Sequence, residues 1–341
     1  MPAINTLDIK RILIIDLAFI GDLVLATPVT RAIRQRWPEA HIAMLTVPLT
    51  QSVAAMNPYV DEVIAYDKNG AHKGLKGMWQ ISRQLKSRNF DLAICMNFAL
   101  RGAVVAWLAG IPYRLGYDAQ HAGWFLTWAA DHHRDGIKHE TENHLEVLKP
   151  WGFTTQDYSL CLQPDQEVII SAEAKMAELQ AVRGQYYVMC PLGSYARKNL
   201  PLPVAAQIIH ALTDQGKQVF LIGGPKEQAQ LLELAKVGRL PLHHVLAGTF
   251  NLPELAVFLQ QAKALVSVDT GPMHMAQAVN CPTVAVFGPT DPAIWGPRNS
   301  NSQVFYRQVK CAPCWGKGIC QDYQCMEQYS AKEILRALEQ I

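Results

Sequence analysis

Apolar and polar positions along the chain follow one recurring rhythm: a short apolar run, a turn, then an amphipathic stretch. "RILIID" (11–16) predicts a buried strand, and "GDLVLATPVTRAIRQRW" (21–37) predicts a helix with Val24, Leu25, Pro28, Val29 and Ile33 on one side. Strands are predicted at 41–47, 60–67 and 90–96, a helix at 77–89, and a further helix ended by Gly110. Over 110–165 the rhythm breaks into a His- and aromatic-rich stretch, predicted as one helix near 141–151 plus long loops. It restarts with strands at 185–193 and in "KQVFLIGGP", "HHVLAG", "KALVSVD" and "PTVAVFG", separated by helical stretches. Strands alternating with helices imply parallel sheets covered on both faces. The polar, Pro-containing "CLQPDQEVII" is the predicted boundary, giving an N-terminal domain 1–165 and a C-terminal domain 166–341. The closing helix 330–341 carries Ser330 and Glu333 at capping-box spacing and is a candidate to pack back toward the first domain.

The length of 341 residues suits two such domains. A net charge of +2 gives no footprint of a general nucleic-acid binder. The N-terminal apolar run is broken by Asp16 and is not a secretory signal, and no stretch has the length of a membrane span. A cytoplasmic protein, or one peripheral on the inner membrane, is therefore expected, with most of its eight cysteines reduced or metal-bound. Cys311, Cys314, Cys320 and Cys325 fall within fifteen residues, at a spacing open to a structural zinc or iron, to free thiols or to disulfides.

The loops after successive strands carry the candidate chemistry. In "VDTGPMHMAQA" (268–278), Gly271 permits close approach, Pro272 suits a first helical turn, and the helix start offers an anion site to which Thr270 and His274 add donors. Asp269 repels phosphate and is expected to cap the helix or to accept from sugar hydroxyls. An unliganded capped turn fits the same residues. After the first strand, Gly21 and Asp22 open a helix; Asp22 is either its cap or a general base. The G-x-G-x-x-G of a nicotinamide-dinucleotide site is absent there, which disfavours an oxidoreductase. Ser194 and Lys198 sit after the second domain's first strand, Glu227 on a Gly-rich turn, and Phe250 in "GTFNLPE". Each has a plain reading as solvated charge, helix-turn charge or core.

In this order, "RILIIDLAFIGDLVLATPVTRAIRQRWP", "PLGSYARKNLP", "GGPKE" and "VDTGPMHMAQAVNCPTVAVFGPTDPAIWGP" resemble glycosyltransferase family 9, the heptosyltransferases of lipopolysaccharide core assembly. The resemblance spans nearly the whole chain. It implies a GT-B fold, two Rossmann-like doubly wound domains facing across a cleft, the first binding acceptor and the second donor. It implies inverting, metal-independent transfer of heptose from ADP-L-glycero-D-manno-heptose to a lipid-linked inner-core acceptor, with no catalytic cofactor. The alternative is another nucleotide sugar, or another envelope glycan or a protein as acceptor. By the resemblance Asp22 is the base, and Lys198 offsets leaving-group charge. Ser194, Lys198, Glu227, Phe250, Asp269, Thr270, Gly271 and His274 bind donor. Arg101, Arg114 and Lys138 are acceptor-phosphate candidates. Many family members carry a Cys-rich loop after "GPTDP". The family's "K-x-W-P" reads "KNLP" here, with Leu200 in place of Trp. A lipid-linked acceptor implies peripheral inner-membrane contact, for which "HAGWFLTWAA" (121–130) is the suggestive stretch.

Overall fold

The computed structural model describes residues 7–131, 138–153, 155–317, 320 and 323–341. The chain divides into two compact units, Met1–Cys161 and Leu162–Ile341. The first holds β1 (Arg11–Ile15), β2 (His41–Thr46), β3 (Glu62–Ala65), β4 (Leu92–Cys95), β5 (Tyr113–Tyr117) and β6 (Trp128–Ala130) in one sheet of order 3-2-1-4-5-6, with every pairing parallel. The second holds β7 (Tyr186–Cys190), β8 (Gln218–Gly223), β9 (Val245–Ala247), β10 (Ala264–Val268), β11 (Thr283–Phe287) and β12 (Ser302–Tyr306), ordered 12-11-10-7-8-9 and again all parallel. Renumbered from its own first strand, the second sheet has the same order as the first. Both are Rossmann-type sheets, the two building blocks of a GT-B chain. Helices on both sides bury the central strands: Ile12 through Ile15 are at most 1% exposed. That burial is why these strands are continuous apolar runs rather than alternating ones.

Several boundaries differ from the sequence reading for physical reasons. The helix expected over 21–37 is two helices, Ile20–Leu25 and Thr27–Arg36, with Pro28 in the first turn of the second. Proline lacks the N–H that would continue the first helix. The stretch 110–165 is not one helix among long loops. It contributes β5 and β6, then helix Glu140–Leu145 and a 3-10 run Glu146–Trp151 containing Pro150. An aromatic cluster packs this region, with Trp128 and Trp37 each edge-on to Trp151 at centroid distances of 5.7 and 5.9 Å. β12 and helix Gln166–Glu178, capped by Asp165 accepting from the Val168 N–H, were also not anticipated. The closing helix Ala331–Gln340 has the expected Ser330–Glu333 capping box, but its apolar side belongs to the second unit, against helix Leu202–Asp214. Ile334, fully buried there, contributes roughly 1.5–3 kcal/mol through its burial. That apolar stripe decides where the helix docks.

Candidate active site

In a 3-2-1-4-5-6 sheet the crevice opens where strand order reverses, between the loops after the first and fourth strands. Each unit carries a side-chain latch at that point. In the first, Asp16 directly follows β1 and its Oδ1 accepts from Asn97 Nδ2 (3.1 Å), in the loop after β4. Asn97 Oδ1 in turn accepts from the Leu17 N–H at 2.5 Å. In the second, Lys198 lies in the loop after β7, and its Nζ donates to Asp269 Oδ2 (2.7 Å), just beyond β10.

Asp22 occupies the first turn of helix Ile20–Leu25, half-buried. Helix Glu140–Leu145 packs on this helix and on Thr27–Arg36 and brings Glu140 and His144, one turn apart, against Asp22. One carboxylate oxygen of Asp22, one of Glu140 and one ring nitrogen of His144 lie within 4.8 Å of one another. Glu140 and His144 are buried, as is Asp16, whose Oδ2 has no hydrogen bond among the described residues; the same holds for both His144 ring nitrogens. Burial raises the Asp22 pKa above the usual carboxylate value. His144 pulls it back, the Asp16 and Glu140 charges push it further up, and a backbone hydrogen bond with Phe19 lowers it. A carboxylate so poised accepts a proton more readily than an exposed one. Sequence reasoning missed Asp16, Glu140, His144 and Asn97. The available signal was the i, i+4 spacing in "ETENH" and an aspartate ending an apolar strand.

In the second unit, Gly193 lets the Lys198 loop fold back on itself. A Cβ there would lie 2.5 Å from Lys198 Cβ, and the Gly193 N–H donates to Asn199 Oδ1 (2.9 Å). Leu200, in place of the family's Trp, is buried in the core of this unit, so the position stays apolar. Helix Gly271–Ala278 begins at the loop after β10. Its N-cap is Thr270, without a side-chain cap bond, and Asp269 pairs with Lys198 instead of capping. Gly271 has no positive φ, so its missing side chain offers closeness of approach rather than unusual backbone. His274 Nε2 lies 3.9 Å from Asp269 Oδ1, and Gln277 Nε2 lies 3.4 Å from His274 Nδ1. Burial pushes the His274 pKa from 6.5 down to about 4, with Asp269 opposing and Lys198 assisting. The imidazole is therefore neutral at pH 7 and serves as a hydrogen-bonding group. Because its folded pKa lies below the unfolded one, protons favour unfolding below pH 6.5, and the loss levels off below about pH 4. We predict that denaturant titrations across this window show about 3 kcal/mol of acid destabilisation from this group, absent in His274→Asn. Parallel pH–stability curves for the two proteins would overturn this.

The remaining candidates are placed as follows. Glu227 Oε2 accepts from the Gly224 N–H at 2.6 Å, which orients its carboxyl at the end of β8. Phe250 stacks on Phe258 (4.7 Å), with the Lys175 ammonium 5.8 Å from its ring centroid. Ser194 is exposed on the Lys198 loop. Arg101 donates to the Tyr66 hydroxyl (3.0 Å). Arg114 spends its donors on the Phe125, Ile111 and Pro112 carbonyls, and Lys138 pairs with Glu146. These contacts make both of the latter local clamps rather than open phosphate ligands. Cys311 is exposed, Cys314 and Cys320 are half-buried, and Cys325 is buried in helix Gln324–Glu327, all as free thiols. Burial, then the other three cysteines, pushes the Cys325 thiol up to about 11. Among the described residues no three of the four sulfurs lie within 4.8 Å of one another. As placed, they do not fit the tetrahedral zinc or iron centre that their spacing left open.

Comparison with known proteins agrees with this arrangement. The chain is 28% identical over 297 residues to lipopolysaccharide heptosyltransferase 3 of Escherichia coli, covering 84% of this chain and 85% of that one. Its fold matches a family 9 glycosyl transferase from Veillonella parvula with a TM-score of 0.86 at 23% identity, covering 98% of both chains. It matches E. coli ADP-heptose lipopolysaccharide heptosyltransferase II with a TM-score of 0.81 at 21% identity, over 97% of this chain and 98% of that one. The sequence profile of glycosyltransferase family 9 (heptosyltransferase) covers residues 78–323, and the chain belongs to that family of glycosyltransferases.

Proposed function

We propose that the protein transfers a heptose from ADP-L-glycero-D-manno-heptose to a lipopolysaccharide inner-core acceptor, with inversion at the anomeric carbon and no catalytic metal. The observation that carries this reading is the Lys198–Asp269–His274 group at the strand reversal of the second unit, beside a helix start, in a member of this family. A diphosphate there meets an ammonium, first-turn amides and a neutral imidazole, all donors to the charge that accumulates on leaving ADP. Glu227 and Phe250 supply an acceptor for ribose hydroxyls and an aromatic face. Ser194, Thr270 and Gly271 complete the donor loops. In the first unit Asp22 takes the proton of the attacking hydroxyl; His144 favours its ionised state, and Asp16 and Glu140 keep it basic. The new glycosidic bond forms as the anomeric carbon–phosphate oxygen bond breaks, and ADP leaves with the electron pair. The reading places the reaction on the cytoplasmic side of the inner membrane.

The test is transfer by the purified protein from ADP-heptose, and from UDP- and GDP-sugars, to a defined lipid-free core oligosaccharide, with products read by mass spectrometry. A single added heptose from the ADP donor is expected. Transfer only from another donor, or none to a core acceptor, overturns the reading.

A further inference from the structure

Between Asp67 and Asp91 the sequence contains six cations, Lys68, Lys73, Lys76, Arg83, Lys86 and Arg88, and no acid. In a chain of net charge +2 this is a local excess. The structure gives it a surface. Lys68 donates to the Leu17 carbonyl and Arg88 pairs with Glu62, but Lys73, Lys76, Arg83 and Lys86 are exposed. None of the four has a carboxylate within ion-pair distance among the described residues. Helix Gly74–Lys86 presents Leu75 and Trp79 to solvent between these cations, at 79% and 55% exposure. The Arg83 guanidinium lies 5.4 Å from the Trp79 ring centroid. The helix packs on Leu100–Leu108, which exposes Trp107, and that helix packs on the 3-10 turn Ala122–Phe125, which exposes Trp124 at 86%. These elements connect β3 to β4, β4 to β5 and β5 to β6, and lie side by side on the sheet.

We propose that this face of the first unit docks on an anionic lipid bilayer. Four bulky apolar side chains held in water are costly unless something covers them. Tryptophans favour the interface between headgroups and acyl chains, and long cationic side chains beside them reach the headgroup phosphates. A negative bilayer surface attracts each such cation. The missing acids favour an anionic partner over a second copy of this face, which would repel itself. The Arg83 group over the Trp79 ring favours lipid over a stacked nucleic-acid base. The proposal stands on this charge and exposure and goes beyond the transfer reading. It extends the suggestive stretch at 121–130 to helix Gly74–Lys86, which carries most of the charge.

The experiment is co-sedimentation of the full chain with vesicles of phosphatidylcholine alone or mixed with phosphatidylglycerol, at low and high salt. Binding to the anionic vesicles only, weakened by salt, is expected. K73Q/K76Q/R83Q should lower partitioning on the order of 100-fold, about five-fold per cation. W79S/W124S should weaken it at unchanged charge. All variants should keep the wild-type thermal transition and wild-type transfer to a lipid-free core acceptor. Equal partitioning by wild type and the triple variant, indifference to lipid charge, or a single-stranded DNA complex in place of vesicle binding would overturn the proposal. Vesicle binding with no heptose transfer would count against the proposed activity and leave this surface standing.

Discussion

Asp22→Asn is expected to lower kcat for transfer about 10³-fold, within the range lost when a positioned general base is removed. Donor binding, measured by calorimetry, should change little, because the donor groups belong to the second unit. The pH dependence tests the surroundings separately. Since burial and two acidic neighbours raise the Asp22 pKa, the acidic limb of kcat/KM should fall above the ordinary carboxylate value of 3.8. His144→Gln removes the charge that favours the ionised carboxylate and should move the limb upward. Asp16→Asn removes a repelling charge and should move it downward. Wild-type turnover in Asp22→Asn, with the fold intact, would remove Asp22 from the base role. Shifts of the same sign in the two neighbour variants would refute the electrostatic account.

The second large effect concerns the Lys198–Asp269 pair, whose side chains are 14% and 7% exposed. Lys198→Ala should reduce kcat/KM on the order of 10²–10³-fold, the range for losing a group that stabilises developing negative charge. Asp269→Ala strands a buried ammonium and should cost about 3–5 kcal/mol of folding stability. Asp269→Asn keeps an acceptor and should lose less. Replacing both, Lys198→Met with Asp269→Leu, should restore most of the stability and none of the activity. Urea unfolding of the four variants beside a transfer assay separates these effects. An Asp269→Ala protein as stable as wild type would show that the pair does not hold the two loops together.

The central strands of both sheets were legible because burial on both faces turns each into a continuous apolar run, as in "RILII" and "ALVSV". β5 and β6 were not. "YRLGY" carries an arginine that clamps nearby carbonyls, and "WAA" is three residues long, so neither shows a period. Their packing rests on aromatic contacts such as Tyr113–Trp128 (5.6 Å), which composition reveals and pattern does not. At the site, groups following a strand within a few residues, such as Asp22, Lys198 and Asp269, were visible from local order. Glu140 and His144 lie more than a hundred residues from Asp22, and only the docking of their helix brings them to it. The cysteine cluster erred in the other direction: close spacing in sequence did not gather the sulfurs in space.

The latch between Lys198 and Asp269 has a consequence for turnover. An ammonium that already owns a carboxylate is a weaker trap for a diphosphate than a bare one, because binding exchanges one counter-ion for another. When product ADP departs, the lysine has its own carboxylate to fall back on instead of being left buried and uncompensated. The second unit thus holds its positive charge in escrow between catalytic cycles, giving up some donor affinity for an easier exit of product.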